Sequence, residues 1–123
     1  MKYTESKEDY LERILMLKEE QEHVRAIDIV NSMGFSKPSV SIAIKKLKDL
    51  KLITIESKTN YIELTNEGKK IAENVYKRHK VISKLLIHLG VDEKTALEDA
   101  CKIEHDISPE TFKQLERAYN EIS

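Results

Sequence analysis

Cys101, Glu104 and His105 stand at i, i+3 and i+4, so a helix would carry a thiol, a carboxylate and an imidazole on one face. That mixture of donors is transition-metal chemistry. Asp9 and Glu12 form a second i, i+3 pair of carboxylates near the start of the chain. His79 follows Val75 by four residues and precedes Ile82 by three, which puts it on the inward stripe of a helix. Three elements can thus aim six donors at one region. Each piece also has an ordinary reading by itself: His79 as a hydrogen-bonded core histidine, Cys101 as a small buried hydrophobe, and Asp9 with Glu12 as a solvated helix start. With a single cysteine, the paired C-x-x-C spacing of structural zinc is absent.

A second constellation lies between residues 36 and 60. Ser39, Ser41, Ile42, Lys45, Lys46 and Lys48 fall on or beside the polar face of a helix whose other side holds Val40, Ala43, Ile44, Leu47 and Leu50. Ser36 and Lys37 at its start join Ser39, Ser41, Ile42, Lys45 and Lys46 as candidate DNA contacts. Small serines near a helix N-terminus permit close approach to base edges in a major groove, while lysines reach phosphates. Lys58 sits in the polar turn Ser57–Asn60, where a hairpin tip can lie along the backbone or minor groove. The competing reading is a solvated lysine face on a winged helix that contacts protein. No Arg, Asn or Gln occupies the exposed face from Ser36 to Lys48, so bidentate base readers are missing there. Specificity would then come from small side chains, from Ile42 against thymine methyls, and from DNA shape.

The elements that must position these residues follow from periodicity. A first helix spans about Thr4 to Gln21, with Thr4 or Ser6 as its cap and Tyr10, Leu11, Ile14, Leu15 and Leu17 as its apolar rows. A short helix covers about Ala26 to Ser32, and Gly34 suits a left-handed helix end. Ser36 caps the third helix, with Pro38 in its first turn. Leu52–Glu56 and Tyr61–Leu64 around a polar turn predict a β-hairpin. After Thr65–Gly68 a long helix runs to about Leu89 and Gly90 ends it; Asp92 caps another helix to about His105, and Ser108–Pro109 opens a last one.

The chain has 123 residues, enough for one domain or a domain with a small extension. Its 35% charged and 40% hydrophobic residues, with three Gly and two Pro, argue against disorder and against a turn-rich β-sandwich. One cysteine excludes an internal disulfide, and no apolar run reaches transmembrane length or forms a leader. The expected compartment is therefore the cytoplasm. The net charge of −1 conceals an uneven distribution. Residues 35–60 and 66–89 are each basic, while 90–123 is acidic.

Together the motifs Glu8-Asp9-Tyr10-Leu11-Glu12, Ser36–Leu47, Leu64-Thr65-x-x-Gly68, Arg78-His79, Gly90–Glu93 and Ile103-Glu104-His105 carry a family likeness. The chain resembles the diphtheria-toxin-repressor family of metal-dependent transcriptional regulators, especially its short manganese-transport-regulator branch without an SH3-like domain. The resemblance implies a homodimer in which divalent metal promotes operator binding and represses metal-uptake genes. It also implies a binuclear ligand set matched here by Asp9, Glu12, His79, Glu104 and His105. Position 101 is a glutamate in the manganese branch and a cysteine, as here, in the iron branch. Asp9 stands where the iron branch has methionine, and Ser83 and Leu97 stand where that branch has further ligands.

The resulting expectation is a mostly α chain with a small β-hairpin wing. Residues 1–70 form a winged helix-turn-helix, and 71–123 a helical metal-sensing and dimerisation region. The protein is read as a repressor, not an enzyme, that binds double-stranded operator DNA as a homodimer when Mn²⁺ or Fe²⁺, up to two ions per subunit, is bound. No membrane and no organic cofactor are expected. The rival is a winged-helix regulator answering to an organic ligand without metal. A metallohydrolase lacks a nucleophile set and leaves the winged helix unexplained.

Overall fold

The computed structural model describes residues 3–122, with side chains from residue 7 onward. Six helices and one hairpin follow in the order α1 (Tyr3–Glu20), α2 (Ala26–Met33), α3 (Lys37–Asp49), β1 (Ile53–Ile55), β2 (Ile62–Leu64), α4 (Asn66–His88), α5 (Glu93–Ile103) and α6 (Pro109–Ile122). The expected cap at Thr4 or Ser6 rests on side chains outside the described residues. The chain divides into two compact units, 1–73 and 74–123, with the division inside α4.

In the first unit, Tyr10, Leu11, Ile14 and Leu17 of α1 join Val24, Ile29, Val40, Ile44, Leu47, Leu52, Ile53, Ile62 and Ala72 in one core. The apolar spacing of each helix accounts for this, since each contributes one stripe. Leu50 departs from its expected inward position. It terminates α3 as the C-cap and is 47% exposed, because the chain turns away through Lys51 in a left-handed conformation (φ 61°). The hairpin pairs Ile53 with Leu64 and Ile55 with Ile62, antiparallel, so that these four side chains share the core-facing side. The Ile62 N–H donates to the Val24 carbonyl at 2.7 Å, tying the wing to the α1–α2 loop.

Three local signals set the helix ends. Gly34 is left-handed (φ 73°) and donates to the Val30 carbonyl, closing α2. Gly90 (φ 104°) donates to the Ile87 carbonyl while Val91 donates to that of Leu86, the paired bonds of a Schellman stop. Thr65 caps α4 by accepting from the Gly68 N–H at 3.1 Å, so the helix starts at Asn66 rather than after Gly68. Inside this first turn residue 68 must be glycine, because a Cβ there would overlap the Leu52 carbonyl.

The second unit comprises the rest of α4 with α5 and α6. Its buried side chains include Val75, Val81, Ile82, Ala96, Ala100 and Phe112. Lys77 of α4 pairs with Glu116 of α6 at 2.7 Å. Among the described residues, no helix is long and apolar enough to cross a membrane.

Candidate functional site

The second unit gathers the donors of α4 and α5. His79, in this part of α4, presents Nδ1 to the Glu104 carboxylate at 3.0 Å. The Cys101 thiol lies 3.7 Å from the same nitrogen. One donor atom from each of His79, Cys101 and Glu104 falls within 4.8 Å of the others. His105 approaches from the other side, with Nε2 3.4 Å from the second carboxylate oxygen. The Glu104 side chain is 0% exposed, so a carboxylate is held out of water between two imidazoles.

These residues fit a divalent ion. Two ligand atoms at typical bond lengths from one metal are roughly 3.0–3.7 Å apart. The His79–Glu104 and His79–Cys101 separations lie in that range. Burying a charged carboxylate is costly unless cations or strong donors surround it. A metal among these donors meets that requirement.

α5 ends at Ile103, with Glu104 as its C-cap, two residues short of the expected limit. His105 therefore follows the helix rather than continuing it. Asp92 occupies the N-cap position as expected, but its side chain makes no capping hydrogen bond. In the first unit, Asp9 and Glu12 both lie on α1, with Asp9 half-buried and Glu12 buried. Burial, and then the Asp9 charge, raise the Tyr10 phenol above its ordinary pKa.

The residues expected from the sequence to contact nucleic acid lie on α3 and the wing. Ser36 caps α3, its Oγ accepting from the Ser39 N–H at 3.2 Å and donating to the Ser39 hydroxyl at 2.9 Å. Ser39 is thus fixed at the helix start, still able to donate its own proton. Lys37, Ser41, Ile42, Lys45 and Lys46 are all exposed on this helix, Ile42 at 60%. Lys58 is exposed at the wing tip, which Thr59 braces by donating to Glu56 and accepting from the Tyr61 N–H. Lys18 and Glu63 form an ion pair between α1 and β2.

Sequence reasoning gave no task to Arg78. Its guanidinium donates to the Glu104 carbonyl (3.2 Å) and the Ile107 carbonyl (3.3 Å) and covers the Phe112 ring at 5.4 Å. The available signal was its spacing, three residues after Val75 and four before Ile82, on the same inward stripe as the apolar residues. A second unforeseen group sits at the wing base, where His23 stacks on Tyr61 (4.0 Å) and Arg25 lies 5.0 Å from that ring.

A DNA-reading winged helix followed by a helical unit with clustered soft and hard donors defines a metal-dependent transcriptional regulator. The family model described as the iron dependent repressor N-terminal DNA binding domain matches residues 2–60. The model described as the iron dependent repressor metal binding and dimerisation domain matches residues 65–123. The chain belongs to this iron-dependent, or diphtheria-toxin, repressor family, whose members are transcriptional regulators and not enzymes. It is 37% identical over 114 residues to an uncharacterized HTH-type transcriptional regulator of Methanocaldococcus jannaschii, covering 91% of this chain and 90% of that protein. It is also 37% identical over 105 residues to the HTH-type transcriptional regulator MntR of Bacillus subtilis, covering 85% of this chain and 73% of that one. Among solved structures, the manganese regulator SloR superposes with a TM-score of 0.80 at 32% identity, and the metal-dependent transcriptional regulator MtsR with 0.85 at 29%. Each of these covers 93% of this chain, which spans 53% of either solved chain, about half its length.

Proposed function

We propose that the protein is a cytoplasmic, homodimeric, metal-activated repressor of metal-uptake genes, responding to Mn²⁺ or Fe²⁺. The observation that carries this reading is the Glu104 carboxylate, wholly buried between His79 and His105 with the Cys101 thiol beside them. Such a carboxylate is a poor structural element and a good anionic ligand. SloR is described as a manganese regulator, whereas Cys101 is softer than an oxygen donor, which supports a response that includes Fe²⁺.

In this proposal His79, Cys101, Glu104 and His105 hold the ion, and Asp9 and Glu12 of α1 complete the donor set. When bound, the ion supplies positive charge and fixed coordination directions. The residues do the rest. Carboxylates drawn to a common ion repel one another without it. Asp9 and Glu12 then leave α1, and the reading unit attached to it, less firmly placed. With their charge neutralised, α1 is fixed and α3 is held in register for DNA. Ser36 and Ser39 present the α3 N-terminus to base edges, Ile42 meets thymine methyls, and Lys37, Lys45, Lys46 and Lys58 contact phosphate. Ser41 lines the same groove-facing side. Exposed Ile87, Leu89, Leu97 and Ile122 support a subunit interface in the second unit. A two-fold dimer reads a near-palindromic operator. By linkage, operator DNA tightens metal binding by the factor that metal tightens DNA binding.

The test is a titration of the metal-free protein on DNA carrying its own promoter region, with Mn²⁺, Co²⁺ and anaerobic Fe²⁺ added separately. Metal-stimulated binding of a dimer to a near-palindromic site is the expected outcome. Equal operator affinity with and without every metal would replace this proposal with a regulator of the organic-ligand kind.

A further inference from the structure

We infer that Arg78 is a positioning residue for the metal centre, holding the Glu104–His105 segment in ligating geometry without touching the ion; this rests on the metal reading proposed above. His79 and Arg78 are consecutive on α4 and point about 100° apart around it. His79 meets the Glu104 carboxylate, and Arg78 meets the carbonyl of the same residue at 3.2 Å. Residue 104 is therefore gripped at both its side chain and its backbone from one helix. The peptide plane that Arg78 holds is the one joining Glu104 to His105, so the clamp also sets where the His105 ring begins.

The same NH1 donates to the Ile107 carbonyl at 3.3 Å, which closes the turn between α5 and α6. The Phe112 ring of α6 supports the guanidinium plane. These carbonyls follow the end of α5, where main-chain acceptors lack helical partners and a cation is favoured. Among the described residues, the Arg78 Nε is buried with no hydrogen-bond partner. An apolar side chain filling this space would avoid that desolvation cost. The retained arginine is explained by the two carbonyls it fixes. Lysine reproduces this role only in part: its ammonium can donate to two carbonyls, as NH1 does, but it lacks the planar guanidinium that lies over the Phe112 ring.

Co²⁺ binding to the full chain tests the inference, read by the visible d–d spectrum and by affinity in competition with a chelator. Arg78→Met, Arg78→Lys and Glu104→Gln are compared with wild type, together with their metal-free melting temperatures. Loss of an outer-shell partner typically weakens metal binding about 10–100-fold. Arg78→Met should lie in that range with an altered cobalt spectrum, and Arg78→Lys should recover only part of the loss. Should Arg78→Met not fold, weakened binding and a changed spectrum in Arg78→Lys still support the inference. A lowered melting temperature with wild-type cobalt affinity and spectrum, in whichever variant folds, gives Arg78 a structural role only and overturns it. Glu104→Gln separates the two levels. If it binds Co²⁺ as wild type does, the metal site itself is misplaced; if it alone weakens binding, only the role of Arg78 fails.

Discussion

Glu104→Gln is the most informative single substitution, because it removes a charge while leaving shape and hydrogen-bonding capacity nearly intact. The side chain is fully buried, with His79 at 3.0 Å and His105 at 3.4 Å, so solvent cannot replace the lost ligand. A ligand that binds only the folded state, present at a hundred times its dissociation constant, stabilises that state by about 2.7 kcal/mol. For a chain of this length that corresponds to a rise of roughly 10 °C in Tm. Changing outer-shell partners alone costs about 10–100-fold in metal affinity, so losing an anionic ligand costs at least that much. At the same free metal concentration the stabilisation remaining is about 1.4 kcal/mol after a tenfold loss and about 0.4 kcal/mol after a hundredfold loss. The metal-induced rise in Tm should therefore shrink to roughly 2–6 °C. Differential scanning fluorimetry at one fixed protein concentration, with and without buffered Co²⁺ or Mn²⁺, measures this directly. Equal metal-induced shifts in wild type and variant would refute the assignment of Glu104 as a ligand.

Further outcomes follow from other parts of the molecule. Gly68→Ala should destabilise the first unit by about 2 kcal/mol or more, because its Cβ meets the Leu52 backbone carbonyl, not a side chain that can swing away; urea denaturation with an unchanged midpoint would contradict that close approach. Ser36→Ala removes the α3 cap and should cost about 1 kcal/mol while weakening operator binding; chemical denaturation and DNA titration measure the two effects separately. Lys45→Ala should weaken specific and random duplexes alike and lower the salt slope by about 1, so an unchanged slope removes Lys45 from the phosphate contacts. Cys101→Glu should shift the ranking of activating metals toward Mn²⁺ in operator titrations; an unaltered ranking would show that the sulfur does not set selectivity.

The sequence by itself determined the local architecture and the inventory of donors. Apolar spacing located the first four helices and cap residues the last two, and Gly34, Ser36 and Gly90 marked ends that depend on nearby backbone geometry. Cys101, Glu104 and His105 were recognisable by type and spacing, as were the serines and lysines of α3. Tertiary structure decided what these residues meet. His79 and Glu104 are 25 positions apart, and only the packing of α4 against α5 brings imidazole and carboxylate to 3.0 Å. The same packing delivers Arg78 to the Glu104 and Ile107 carbonyls, beyond the end of α5 at Ile103. Gly68, which reads as a helix boundary in the sequence, lies within α4, and it must lack a side chain because Leu52, 16 residues earlier, passes against its backbone. Periodicity reports which face of an element turns inward; it carries no information about which atom of another element waits there. Hydrogen bonds and ion coordination depend on that atom within a few tenths of an ångström, so the proposed metal centre takes its geometry from packing and only its chemistry from composition.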